Sequence, residues 1–154
     1  MKLRSMVALA LIFSLFMSAL VISFTPKTSW IIIPYRDVET RHFTFTVESG
    51  RYYDVNFYLH SGYTVNFSFN YSGLIVMNVY LMDSENFKKY QEGENYTSIL
   101  IISASSTSET YQGNYTAVKS DRYYLVFENY FLNADVSLTI SLEVLKFLPV
   151  PYRT

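Results

Sequence analysis

Asp135 to Val144 reads DVSLTISLEV. In an extended chain Val136, Leu138, Ile140, Leu142 and Val144 fall on one side, and Asp135, Ser137, Thr139, Ser141 and Glu143 on the other. A period of two held over ten residues is the pattern of a half-buried β-strand, with one face on a core and one in water. The same alternation recurs upstream. Phe43, Phe45 and Val47 alternate with Thr44 and Thr46; Tyr53, Val55, Phe57 and Leu59 with Asp54, Asn56 and Tyr58; Val65, Phe67 and Phe69 with Asn66 and Ser68. Ser49-Gly50 and Ser61-Gly62 supply the turns between them. Short strands at regular spacing, broken by glycine turns, predict an antiparallel sandwich or barrel.

The middle of the chain fits the same plan. Leu74 to Met82 is apolar on both faces except for Asn78, which predicts a central strand covered on both sides. DSENFKKYQEGE, from Asp83 to Glu94, is a polar connection with room for one helical turn. SILIIS at Ser98–Ser103 reads as a buried strand, Ser105–Gly113 as a Ser/Thr-rich loop leading to a weak strand near Tyr115, and RYYLVFENY at Arg122–Tyr130 as a strand with Tyr123, Leu125 and Phe127 on one face. There is no internal repeat, and no helix is expected beyond one at the N-terminus.

That N-terminal stretch, MVALALIFSLFMSALVISF from Met6 to Phe24, carries no charge and follows Lys2 and Arg4. A basic segment before an unbroken apolar run is a secretory signal peptide or an uncleaved signal anchor, and both place the rest of the chain outside the cytosol. The run is close to the ~20 residues that span a bilayer, while Val21-Ile22-Ser23 offers an imperfect cleavage junction. The division that follows is 1–25 signal peptide or anchor, 26–38 linker or first edge strand, 39–147 sandwich domain and 148–154 extended tail. Trp30-Ile31-Ile32-Ile33-Pro34 reads as an edge strand stopped by its proline rather than as an interfacial anchor, and Pro149 and Pro151 mark the tail.

Twelve Lys and Arg stand against thirteen Asp and Glu, so without Lys2 and Arg4 the exported part has an acidic excess of three. Neither nucleic acid nor an anionic surface is an expected partner. Cysteine is absent, which excludes disulfides and a lipid-modified N-terminus, and fits a prokaryotic, archaeal-like cell surface better than a eukaryotic ectodomain. Burial must then supply the stability. Twelve Phe and fifteen Tyr provide for it, at roughly 1.5–3 kcal/mol per large buried side chain.

Several segments together carry a resemblance: Leu59-His60-Ser61-Gly62-Tyr63-Thr64-Val65, the apolar strand closing on an acidic turn at Val79-Tyr80-Leu81-Met82-Asp83, Tyr123 to Asn129, and the last alternating strand. From Phe43 to Val144 the chain resembles the GOLD-like (Golgi-dynamics-type) jelly-roll β-sandwich, similar in outline to bacterial pre-peptidase C-terminal domains. The resemblance implies an all-β, antiparallel jelly-roll-like β-sandwich preceded by one N-terminal hydrophobic helix, and a family that binds proteins, lipids or sugars without catalysis. Arg122 stands where that family has glycine, and the cysteine pair, coiled coil and C-terminal membrane helix of cargo receptors are missing. A trafficking role is therefore not implied.

Four sequons, Asn66-Phe67-Ser68, Asn70-Tyr71-Ser72, Asn95-Tyr96-Thr97 and Asn114-Tyr115-Thr116, make Asn66, Asn70, Asn95 and Asn114 glycosylation candidates on a surface glycoprotein, against bare polar positions as the alternative. Tyr52, Tyr58, Tyr80 and Tyr124 lie opposite a core-facing partner or on a strand with two apolar faces and are possible contact aromatics for a protein or glycan; a second inner face of the sandwich, or cross-strand ladders, is the plainer explanation. His42 and His60 have no partner spacing for zinc. Asp83, Glu85, Glu92 and Glu94 are of the type that binds Ca²⁺, but Lys88 and Lys89 dilute the charge. No GxSxG, Ser/Lys or Cys/His arrangement exists, so no catalytic, cofactor or metal residues are named. The expected function is non-enzymatic binding, adhesion or envelope structure at the cell surface, with a membrane contact through the N-terminal segment if it is uncleaved. The alternatives are a pilin-like filament subunit and an anchored accessory subunit of a membrane complex.

Overall fold

The structure, a computed structural model, describes residues 28–72, 76–107 and 109–153. The apolar run Met6–Phe24, the 1–25 segment and the opening of the 26–38 linker lie outside the described residues, as do Leu74 and Ile75 of the expected central strand. Eight strands follow in order: β1 (Thr28–Val47), β2 (Arg51–Leu59), β3 (Thr64–Ser72), β4 (Met77–Asp83), β5 (Leu100–Ala104), β6 (Tyr111–Thr116), β7 (Asp121–Asn129) and β8 (Ala134–Arg153), with helix α1 (Ser84–Glu92) between β4 and β5. They form two four-stranded sheets, β1-β8-β3-β6 and β2-β7-β4-β5. This is the strand order of an eight-stranded jelly roll, and the pairings are antiparallel. The expected all-β antiparallel sandwich is the observed one, and the N-terminal hydrophobic helix expected before it lies outside the described residues.

Two compact units divide the chain. Arg36–Lys146 is one; the described residues of the other are 28–35 and 147–153, the far ends of β1 and β8. Within Arg36–Lys146 the alternation read from the sequence becomes the core. Val136, Leu138, Ile140 and Leu142 of β8 and Val65, Phe67 and Phe69 of β3 face Val55, Phe57 and Leu59 of β2 and Tyr123, Leu125 and Phe127 of β7. The rings interlock edge to face, Phe127 meeting Phe45 at 5.2 Å and Phe69 at 5.3 Å between centroids. Tyr71 is buried among them and donates its hydroxyl to the Ala104 carbonyl at 3.0 Å.

Four expectations change. First, no helix was expected after the N-terminus beyond a turn, yet Ser84–Glu92 is a nine-residue helix. Asp83 caps it, its carboxylate accepting from the Asn86 amide at 2.9 Å, and Gly93 ends it in the left-handed region at φ 72°. Phe87 and Tyr90 then fall on one face, three residues apart, and pack on the outer side of the second sheet against Tyr80, Met82, Val126 and Tyr124. The helix covers the outer face of β4, while Met77, Val79 and Leu81 face the core, so both faces of the strand are covered. Second, β1 does not stop at Pro34, and residues 148–153 of the expected extended tail are the end of β8, both strands running on through their prolines. The lost donor is tolerable where no partner strand asks for it, and β1 is an edge strand of its sheet. Third, the strand expected at 98–103 is β5 at Leu100–Ala104, an edge strand and not a buried one, with Ile101 59% exposed. Fourth, part of the expected 105–113 loop is β6, which pairs with β3 from Tyr111 onward.

Candidate functional site

The β1–β2, β3–β4, β5–β6 and β7–β8 connections share one end of the sandwich, as the antiparallel registers require. At that end the β7–β8 turn breaks the usual chemistry of turns. Tyr130, Phe131 and Leu132 follow one another in it and are 52%, 65% and 61% exposed. Turns are ordinarily polar with Gly, Asn, Asp or Pro, because each exposed apolar side chain leaves its hydration cost unrelieved.

The loop is held from below. Asn129, fully buried at the end of β7, donates through Nδ2 to the Val47 carbonyl at 2.9 Å and to the Leu132 carbonyl. Its Oδ1 accepts from the Phe131 amide at 3.2 Å, and its carbonyl accepts from the Gly50 amide at 2.9 Å. Ser49, in the neighbouring β1–β2 turn, donates its amide to Asn133 Oδ1 at 3.0 Å and its hydroxyl to the Phe131 carbonyl. Tyr130 reaches sideways and donates to Glu128, which also accepts from Tyr90 at 3.3 Å. Burial, and then the Glu128 carboxylate, raise the Tyr90 phenol far above its ordinary value, so it stays a donor at every physiological pH. Three apolar side chains thus stand on a backbone that two turns fix between them. The tip carries no acid, base or nucleophile; what it offers is preorganised apolar area.

The sequence reading missed this loop. The signal was legible in Tyr130-Phe131-Leu132-Asn133: three large apolar residues placed where the period of two is interrupted. The four tyrosines named from sequence separate into two classes. Tyr58 is 52% exposed on β2, with its ring edge to face on His60 at 5.2 Å. Tyr52 is 41% exposed but leans on the helix, 5.2 Å from Tyr90 between centroids. Tyr80 is buried, and Tyr124 is half-buried with its ring stacked on Phe87 at 3.9 Å. Neither is a surface-contact aromatic, because α1 covers the face they were expected to present.

Asn66, Asn70, Asn95 and Asn114 are all exposed. Asn66 and Asn114 stand directly opposite each other in the β3–β6 pairing, and both line a shallow groove of about 320 Å³ on the outer face of the first sheet with Ser68, Gln112, Thr139 and Ser141. His42 bonds through Nδ1 to Thr139 at 3.0 Å. The acidic residues of 83–94 are spread along α1 and its caps, Asp83 pairing with Lys119 at 2.9 Å and Glu85 with Lys89 at 2.6 Å. Among the described residues no three His, Asp or Glu side chains converge as metal ligands.

No protein-family model matches the chain, and no curated protein matches it, so the GOLD-like resemblance stands at the level of an all-β sandwich. Among solved structures the chain is similar to Aeromonas hydrophila PliG, a periplasmic lysozyme inhibitor of g-type lysozyme. The identity is 13% over 77% of this chain and 88% of that one, with a TM-score of 0.33.

Proposed function

We propose that the chain is an exported, non-enzymatic β-sandwich that works at the cell surface by binding a protein through the Tyr130–Leu132 tip. The single observation that carries the reading is the combination of exposure and fixation at that loop. Binding energy at interfaces concentrates in a few large anchors, with aromatic residues prominent among them. Ordering a mobile side chain on binding costs about 0.5–1.5 kcal/mol, and a tip already braced by Asn129 and Ser49 avoids much of the backbone share of that cost. Export is supported by Lys2, Arg4 and the uncharged run Met6–Phe24. Glycans on Asn66, Asn70, Asn95 and Asn114 belong to the same reading, and Asn66, Asn70 and Asn114 share the outer face of one sheet.

A photo-crosslinking residue at position 131, in the protein expressed in its own cells, tests this. A discrete protein adduct from position 131, absent when the crosslinker replaces the 81%-exposed Val118 at the opposite end of the sandwich, is the expected result. Identical adducts from both positions, or none from position 131, overturn the reading.

A further inference from the structure

The unit formed by the far ends of β1 and β8 has an unusual surface. Trp30, Ile31, Ile32, Ile33 and Tyr35 on β1, and Phe147 and Leu148 on β8, are all at least 43% exposed. Successive residues of a strand point to opposite faces. Exposure of four in succession, Trp30 to Ile33, therefore means that both faces are apolar and open. A single apolar patch on a soluble domain is common, but a two-sided one is not.

The sequence around this ribbon is patterned. Residues 28–35 and 147–152 contain no charged side chain, and each segment is bracketed by basic residues, Lys27 and Arg36 in one case and Lys146 and Arg153 in the other. The uncharged run Met6–Phe24 ends three residues before Lys27. We infer that the ribbon Thr28–Tyr35 with Phe147–Arg153 is a membrane-contact element that lies in the headgroup region of a phospholipid bilayer. This rests on different residues from the tip and is independent of it.

Three physical arguments favour lipid over a second copy of the chain. Aromatic residues flanked by Lys or Arg are the composition of the bilayer interface, where the rings sit among the headgroups. Pro34, Pro149 and Pro151 each remove a backbone donor, which blocks the strand-to-strand addition by which an exposed edge recruits another copy. The uncharged stretch 28–35 of β1, eight residues, is also shorter than the ~9–11 residues that cross a bilayer, and an open ribbon has edges that hydrocarbon does not tolerate. Lying in the interface satisfies all of these; spanning it does not.

Trp30 is the sole tryptophan of the chain, so its fluorescence reports on the ribbon without any substitution. The full chain is reconstituted into phosphatidylcholine vesicles, with lipid brominated close to the glycerol as one quencher and aqueous iodide on both sides of the bilayer as the other. Because Trp30 also neighbours the apolar run in sequence, a second protein moves the probe to β8 as Trp30→Phe with Phe147→Trp. Leu148→Trp in the same background serves if that variant loses its β-sheet circular dichroism. The expected result is a loss of emission of about twofold or more with shallow-brominated lipid at both positions, together with protection from iodide. Quenching of the β8 probe by iodide and not by lipid overturns the inference, since only the apolar run then meets the bilayer. Protection from both quenchers, with the detergent-solubilised chain running as a dimer, overturns it in favour of a second copy.

Discussion

The ring of Phe67 occupies the place where Gly113 would carry a side chain. The two are paired across β3 and β6, and a Cβ built on Gly113 would lie 2.3 Å from Phe67 Cζ. Phe67 is buried at 3% exposure, so its ring has no room to swing aside. The glycine is there for packing, since its conformation is that of an ordinary strand. Gly113→Ala is expected to cost about 1–3 kcal/mol by overpacking. Phe67→Leu, combined with it, should recover part of that loss. Urea unfolding of the two single variants and the double variant checks the coupling, and strict additivity would show that the ring and the glycine do not share the space.

The faces of β8 make a second, simpler expectation. Ile140 is 1% exposed and pairs with Phe67, so Ile140→Ala should cost roughly 2–5 kcal/mol. Thr139 is on the outer face, where its hydroxyl bonds the His42 side chain, and Thr139→Ala should cost no more than about 1 kcal/mol. Equal losses on thermal unfolding would contradict the register.

Asp83 joins the helix to its sheet, and its charge should be visible in acid. Burial alone would raise its carboxyl pKa, but the Asn86 amide and the Lys119 ammonium outweigh burial and hold it below its ordinary value of 3.8. A carboxyl depressed by folding contributes stability that is present above its unfolded value and disappears as pH falls through the lower folded one. The wild-type protein should therefore lose stability as pH drops below about 4. Asp83→Asn keeps a capping side chain and loses the ion pair, so its acid slope should be shallower; the slope keeps a part from Asp121, which is depressed in the same way and shares Lys119. Asp83→Ala loses the cap as well and should cost about 0.5–2 kcal/mol at neutral pH. Urea unfolding of the three proteins from pH 2.5 to 7 measures this, and an unchanged acid slope in Asp83→Asn would remove the carboxylate from the account.

The sequons yield a prediction that only the pairing reveals. Directly opposed residues of an antiparallel pair hold their Cβ atoms about 4.5–5.5 Å apart. Asn66 and Asn114 are so opposed, and two glycan stems do not fit at that spacing. In a glycosylating host, intact-mass and glycopeptide spectra should show either site occupied in a given molecule but not both, while Asn70 and Asn95 vary independently. Molecules bearing glycans on both Asn66 and Asn114 would contradict it.

The sandwich was readable because one physical signal, the period of two, is strong in β2, β3, β7 and β8. Phe67, Leu125 and Ile140 could be assigned inward from sequence alone. Helix α1 was not readable because SENFKKYQE has a polar majority and only Phe87 and Tyr90 to mark an apolar face. Its caps, Asp83 and Gly93, are legible only once a helix is suspected between them. That one omission misplaced Tyr80 and Tyr124, since the face they occupy is exposed only if the helix is absent. The prolines misled for a related reason: Pro34 ends a strand that needs its donor, and nothing in the sequence says that β1 is at an edge. The Tyr130–Leu132 tip escaped notice because it obeys no period at all.

The pairing of β1 with β8 has a consequence for how the molecule comes into being. Thr40 and Ser141 hydrogen-bond across it, 101 residues apart. Emerging in order from a ribosome at ~5–20 residues per second, β1 waits roughly 5–20 s for its neighbour to be made. Until then Phe43, Phe45 and Val47 have no finished sheet to join. Contacts of such long range also make for slow folding. Throughout that interval β1 presents those apolar side chains to any holding chaperone that meets the nascent chain.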